Sequence, residues 1–263
     1  VYKRQVLGIA GAAIASSVSE AVSLLFFIIY TGTTADKRKY GFRRAFTFRP
    51  HLLKGMLSIS GWTMVQSFIS VSIWFIFFLA IEHLGERPLA VTNIVRNISA
   101  LLIMVISAFA TTAGALISNQ IGAGEQRYLF RTCGMTLNLT YAILVPLLVI
   151  LCLFPEPVLR VFTDNPSLIA ASINSVYVMS TSTLIMAPAF ILFNAVSGTG
   201  NTKAGFIMEM ISLTVYTAAV YYIVIRLKPD VALCWFSEHV YGIALIALAW
   251  WYLKSGKWRG KKV

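Results

Sequence analysis

A chain of 263 residues with 58% hydrophobic and only 12% charged side chains is too apolar for a soluble domain, because globular chains carry about 25% charged residues. Its 22 Lys and Arg against 10 Asp and Glu give a net charge of +12. On a soluble protein that excess would suggest a nucleic-acid surface; in a chain this apolar it reads as membrane orientation, and nucleic acid is excluded as a partner.

Apolar runs of about 20 residues or more recur along the whole length. They predict membrane-crossing helices over 6–30, 55–81, 88–118, 132–154, 167–196, 204–225 and 231–253. Each is long enough to cross a hydrocarbon core of about 30 Å at about 1.5 Å per residue. The alternating strands of about 10 residues that build a membrane barrel are missing. The predicted class is therefore all-α, a polytopic membrane protein with seven transmembrane helices in a lipid bilayer.

The chain opens Val1-Tyr2-Lys3-Arg4-Gln5, without Met, and enters the first span at once. No small-residue cleavage site follows that span, so it is not read as a signal peptide. The five residues match a translated sequencing adaptor and are taken as a non-native scar, with natural sequence expected upstream.

Between the first two spans lies Asp36 to Lys54, which sets Lys37, Arg38, Lys39, Arg43, Arg44, Arg49 and Lys54 against Asp36 alone. A basic cluster between hydrophobic spans marks a cytoplasmic loop. Arg127, Arg131 and Lys203 fall on the same side, as do Lys254, Lys257, Arg259, Lys261 and Lys262 of the tail. The opposite side holds Arg87, Arg160, Arg226 and Lys228. This asymmetry predicts a cytoplasmic C-terminus, with Lys3 and Arg4 alone against the rule. Trp250, Trp251, Tyr252 and Trp258 would then sit in the cytoplasmic headgroup layer. Pro146 and Pro188 lie within spans and are candidate kinks.

Ionisable groups inside the spans are few. Glu20 shares a helical face with Ser16, Ser19 and Ser23; Glu209 shares one with Ser212 and Tyr216. Arg96, flanked by Asn93 and Asn97, is the cation within a span. A carboxyl in hydrocarbon costs about 2.5–3.5 kcal/mol, so it normally faces protein, water or a partner charge. Glu209 and Glu20 are therefore candidates for binding and releasing a coupling proton or Na⁺, with Arg96 as counter-ion. The plainer alternative is a fixed contact that holds helices together. The remaining acids are placed in loops, and Glu238 near the outer interface. A stripe of Thr63, Gln66, Ser67, Ser70 and Trp74 at helical spacing suits either a cavity wall or small-polar helix packing. Cys133, Cys152 and Cys234 are far apart and read as packing residues, and His51, His83 and His239 stand alone. No catalytic constellation, metal site or ATP-binding loop is visible, so neither an enzyme nor a cofactor is expected.

Three junctions go beyond generic membrane sequence. Gly114-Ala115-Leu116-Ile117-Ser118-Asn119-Gln120-Ile121-Gly122-Ala123-Gly124 closes the third span, Val161-Phe162-Thr163-Asp164-Asn165-Pro166 follows the fourth, and Ser197-Gly198-Thr199-Gly200-Asn201-Thr202-Lys203 follows the fifth. Taken singly, their glycines are ordinary helix ends in left-handed conformation. In this order and spacing, with Gly11-Ala12-Ala13-Ile14-Ala15 near the start, the chain from Gly8 to Leu253 resembles the multidrug and toxic compound extrusion (MATE) transporters.

That resemblance implies two lobes of six helices around a cavity open alternately to each side. Residues 6–30 would be the last helix of the first lobe, 31–54 the inter-lobe linker, 55–253 the second lobe and 254–263 a cytoplasmic tail. The rest of the first lobe would be a missing partner from the same protein. It further implies a monomeric, multi-pass secondary exporter of a bacterial cytoplasmic (inner) membrane. Such a protein exchanges amphipathic, cationic organic compounds against H⁺ or Na⁺, with Trp62, Trp74 and Met104 as candidate substrate contacts. Some members carry cation-binding acids in the first and fourth helices of this lobe. Here those helices offer Gln66, Ser67, Ser70 and Trp74, and Asn174, Tyr177, Thr181 and Asn194, with no acid, so no cation site is carried over. The cavity-lining candidates are Gln66, Ser70, Trp74, Asn93, Asn97, Asn174, Tyr177, Thr181, Asn194 and Tyr216. Two alternatives remain: a lipid-linked oligosaccharide flippase of the same superfamily, which would call for a more cationic cavity, and a seven-helix membrane receptor, which the helix count allows.

Overall fold

The computed structural model describes residues 8–34, 50–256 and 258. The adaptor-like residues 1–5, most of the basic linker and the tail cations Lys257, Arg259, Lys261 and Lys262 lie outside them. Every regular element is helical: α1 (Gly8–Thr34), α2 (Pro50–Glu82), α3 (Glu86–Gly122), α4 (Leu129–Leu153), the short α5 (Pro155–Arg160), α6 (Pro166–Gly198), α7 (Thr202–Val220), the one-turn α8 (Val231–Cys234) and α9 (Phe236–Ser255). Among the described residues, seven stretches are long and apolar enough to cross a membrane. They coincide with the predicted spans.

The junction motifs are helix ends, and their chemistry is visible. Asn165 caps α6 by accepting the Ser167 N–H at 3.0 Å, and Pro166 occupies the first turn, where a missing N–H costs nothing. Asn201 caps α7 through the Ala204 N–H at 3.2 Å. Gly124 and Gly200 both take φ 77°, the left-handed conformation that stops α3 and α6. Two predicted spans are less regular than the sequence suggests. The sixth ends in a π-helical turn, Tyr221–Leu227, closed by Lys228 at φ 47°. The last is broken at Trp235, which separates α8 from α9 and meets the Phe77 ring edge-on at 5.8 Å.

The chain divides into two units, Val1–Leu57 and Ser58–Val263, with α2 passing from one to the other. In the first unit, Glu20 and its serine neighbours Ser16, Ser19 and Ser23 are exposed on α1. In the second, α3 and α6 pack most extensively. Their upper halves bury Val95, Ile106, Val176 and Met179 together with Leu144 and Leu148 of α4 and Leu159 of α5. Their ends toward Gly114 and Gly198 bury small residues, Ala110, Ala113 and Ala195, with Ala249 and Leu253 of α9. Here the two backbones nearly touch: a Cβ on Gly198 would lie 2.5 Å from the Gly114 carbonyl oxygen, and one on Gly114 2.9 Å from that of Asn194. These glycines are therefore packing devices, whereas Gly124 and Gly200 are conformational ones. A third cluster gathers Phe77 and Ile81 of α2 with Tyr216, Val220 and Cys234. Outward faces carry exposed Met135, Leu139, Val149, Ile150 and Leu153, as a chain solvated by lipid requires.

Candidate functional site

Successive positions on one face of α7 present Glu209, Leu213 and Tyr216 to a cavity of about 390 Å³. From α2 come Ser70, Val71 and Trp74, from α9 Glu238 and Tyr241, and from α6 Met186 and Phe190. Most of the wall is apolar, so its polar groups stand out.

Glu209 is only 4% exposed. Its carboxyl is satisfied from two helices: Ser70 Oγ lies 2.9 Å from Oε1, and the Tyr241 hydroxyl lies 3.0 Å from Oε1 and 3.2 Å from Oε2. Ser70 Oγ is also 2.9 Å from the Gln66 carbonyl oxygen. A serine hydroxyl has one hydrogen and two lone pairs. Given to Glu209, that hydrogen satisfies a carboxylate. Given to the Gln66 carbonyl, it leaves the serine oxygen free to accept from a protonated carboxyl. The same heavy-atom positions therefore suit both protonation states of Glu209.

Glu238, half-buried, accepts the Tyr216 hydroxyl on Oε1 at 3.0 Å. The Tyr216 and Tyr241 rings meet edge to face, 5.9 Å apart. Sequence position gives Glu238 a depth near the outer interface; the structure adds that it lines the cavity. Tyr241 was not distinguished by its sequence neighbourhood. Its one signal is its place three residues after Glu238, on the same helical face.

Of the predicted site residues, Ser70, Trp74, Glu209 and Tyr216 meet at this cavity. Among the described residues, Arg96 does not form the expected pair with a carboxylate. Its guanidinium carbon lies 5.7 Å from the Trp74 ring centroid and 5.2 Å from that of Phe78, so aromatic faces supply its partner. The other candidates are elsewhere. Gln66 contributes its backbone carbonyl. Asn93 and Asn194 each donate to a carbonyl one turn back, Leu89 at 3.1 Å and Phe190 at 2.9 Å, and Asn97 is exposed. Tyr177 and Thr181 line a groove against α4, with Thr181 Oγ1 2.9 Å from His239 Nε2. Asn174 borders a pocket with Arg87 and Asp230. Glu20 belongs to the first unit. Among the described residues no group of three or more His, Cys, Asp or Glu gathers as a metal site.

Comparison with known proteins places these features in context. The model of the MatE family matches residues 63–223. The probable multidrug resistance protein NorM of Thermotoga maritima is 23% identical over 269 residues, covering 98% of this chain and 55% of the relative. The uncharacterized transporter YisQ of Bacillus subtilis is 24% identical over 220 residues, covering 79% and 46% respectively. The chain thus spans about half the length of the curated relatives it matches. Among solved structures, a mutant of the Vibrio cholerae MATE transporter VcmN superposes with a TM-score of 0.72 at 16% identity, covering 81% of this chain and 49% of that one. A MOP superfamily transporter from Pyrococcus furiosus gives 0.67 at 12% identity, covering 76% and 44%. At these identities the structural likeness speaks for the fold.

Proposed function

The chain belongs to the MatE family, and from that premise we propose that it supplies one lobe of a secondary exporter exchanging amphipathic organic cations against H⁺ or Na⁺. The observation that carries this reading is the Ser70–Glu209–Tyr241 arrangement, a buried carboxyl on a cavity wall whose partners suit it with or without its proton. A coupling group must alternate between those states. In alternating access, Glu209 would bind the coupling cation in one arrangement of the lobes and release it in the other, while substrate moves the opposite way. Trp74 and the two tyrosines offer aromatic faces to an organic cation in the same cavity.

The remaining parts of the reading are supported by the charge asymmetry of the loops and by family membership. The basic linker and the C-terminus face the cytoplasm of a bacterial inner membrane, the lobe begins near residue 55, and its counterpart precedes it in the same polypeptide. Glu20 remains a second coupling candidate. The protein is neither an enzyme nor cofactor-dependent, and the assembled transporter is a monomer. A lipid-linked oligosaccharide flippase is disfavoured because the cavity wall carries two acids and no basic side chain. Family membership disfavours a seven-helix receptor.

The test is ethidium efflux by the complete gene product in proteoliposomes, with H⁺ and Na⁺ gradients imposed and collapsed separately. Efflux should follow one of them and be lost in Glu209→Gln. Full efflux by Glu209→Gln, with unchanged cation dependence, would sink the assignment.

A further inference from the structure

The acid–tyrosine contacts between α7 and α9 are reciprocal. Glu209 on α7 takes the hydroxyl of Tyr241 on α9, and Glu238 on α9 takes that of Tyr216 on α7. All four side chains border one cavity, and the two tyrosine rings touch. An acid within a membrane span is normally balanced by a basic side chain, water or a bound cation. Among the described residues, no element lining this cavity provides the base. Neither α2 nor α6 brings a titratable side chain to the cavity wall. Arg96 of α3 is held over Trp74 and Phe78, and His239 of α9 meets Thr181. One more polar group lies on this face of α7: Ser212 is fully buried, three residues after Glu209, and its Oγ has no partner among the described residues. Among the described residues, the seam therefore brings two carboxyl groups to the cavity wall and no basic side chain.

We propose that Glu238 is a second coupling carboxylate and that the cavity takes up two monovalent cations, protons or Na⁺, one on each acid in every cycle. Each step is simple association. A proton forms an O–H bond to a carboxylate oxygen, or Na⁺ is coordinated by it, and the same cation leaves when the cavity faces the other side. Tyr216 and Tyr241 hold the two carboxyls apart and satisfy whichever oxygen is not so engaged. The consequence is a stoichiometry: two coupling charges enter for each monovalent organic cation that leaves, so one net positive charge moves inward per cycle.

This inference rests on the antiport reading and fails in a distinguishable way. The experiment uses the complete gene product in proteoliposomes with ethidium as the exported probe. A potassium–valinomycin potential is set independently of H⁺ and Na⁺ gradients, and leak through protein-free vesicles is subtracted. Wild-type efflux should accelerate under a potential that draws positive charge inward, even with both cation gradients at zero. Glu238→Gln should slow gradient-driven efflux and remove that acceleration from the efflux that remains, because the remaining exchange is electroneutral. Separate H⁺ and Na⁺ arms identify the cation. Potential-independent efflux by the wild type overturns the proposal without recourse to any variant, and so does undiminished potential dependence in Glu238→Gln. Failure of the antiport reading itself looks different: wild-type efflux would then follow neither cation gradient.

Discussion

Two helix seams of the second unit solve the same packing problem by opposite means. Lipid provides no hydrophobic force to press helices together, so contact must come from close packing or from hydrogen bonds. Where α3 meets α6 near Gly114 and Gly198, side chains are reduced until the backbones themselves approach, and Ala110, Ala113 and Ala195 complete a dry interface. Where α7 meets α9, large polar side chains reach across instead, and a cavity opens beside them. The closed seam leaves no space for a side chain at Gly198 or Gly114. The open seam is bridged by acid–tyrosine hydrogen bonds beside that cavity. Close packing and polar bridging are thus assigned to different faces of a single helix bundle.

This contrast can be broken at either seam. The largest effect is expected from Gly198→Val, which forces a side chain into the Gly114 carbonyl: overpacking should cost about 3 kcal/mol, read as loss of monodisperse protein and a lower unfolding temperature in detergent. A neutral outcome would mean that the two backbones are free to separate. Glu209→Gln attacks the open seam and should do the reverse. Its unfolding temperature should stay near wild type while ion-driven ethidium efflux falls to the leak. Tyr241→Phe removes both hydroxyl contacts to Glu209 and should cost about 1 kcal/mol, with slowed but measurable efflux. The smallest effect belongs to Arg96→Gln, which forfeits contacts worth about 0.5–1 kcal/mol with Trp74 and Phe78. Combined with Glu209→Gln it should be additive to within about 0.5 kcal/mol. A larger coupling in that double-mutant cycle would restore the Arg96–carboxylate pair that the geometry lacks.

The spans were legible in the sequence because length and hydropathy are enough to specify a membrane helix. The capping residues Asn165 and Asn201 were visible as motifs because their interactions are local. Lateral direction was less accessible. Glu209 stood out as an acid in an apolar span, and helical spacing linked it to Tyr216. Ser70 and Trp74 belonged to a recognisable stripe. For Glu238, distance from the span end gives depth and leaves open which neighbour it faces. Arg96 illustrates the same gap. Charge suggests a carboxylate partner, yet two rings on α2, four residues apart, give the guanidinium another place to rest. The junction glycines looked alike, but only contacts between residues distant in sequence separate the packing pair Gly114 and Gly198 from those with positive φ.

The reciprocal contacts of α7 and α9 also have a mechanical meaning. Glu209 and Tyr216 are seven residues apart, roughly 10 Å along α7, whereas their partners Tyr241 and Glu238 are three apart, roughly 4.5 Å along α9. The two links cannot both run level, and they converge toward α9 like the diagonals of a truss. A frame braced this way resists shear in both directions, since any slide stretches one strut. Slackening either strut alone would leave the frame stiff one way and free the other. The order in which the two acids change state would then choose the direction in which α7 is able to slip.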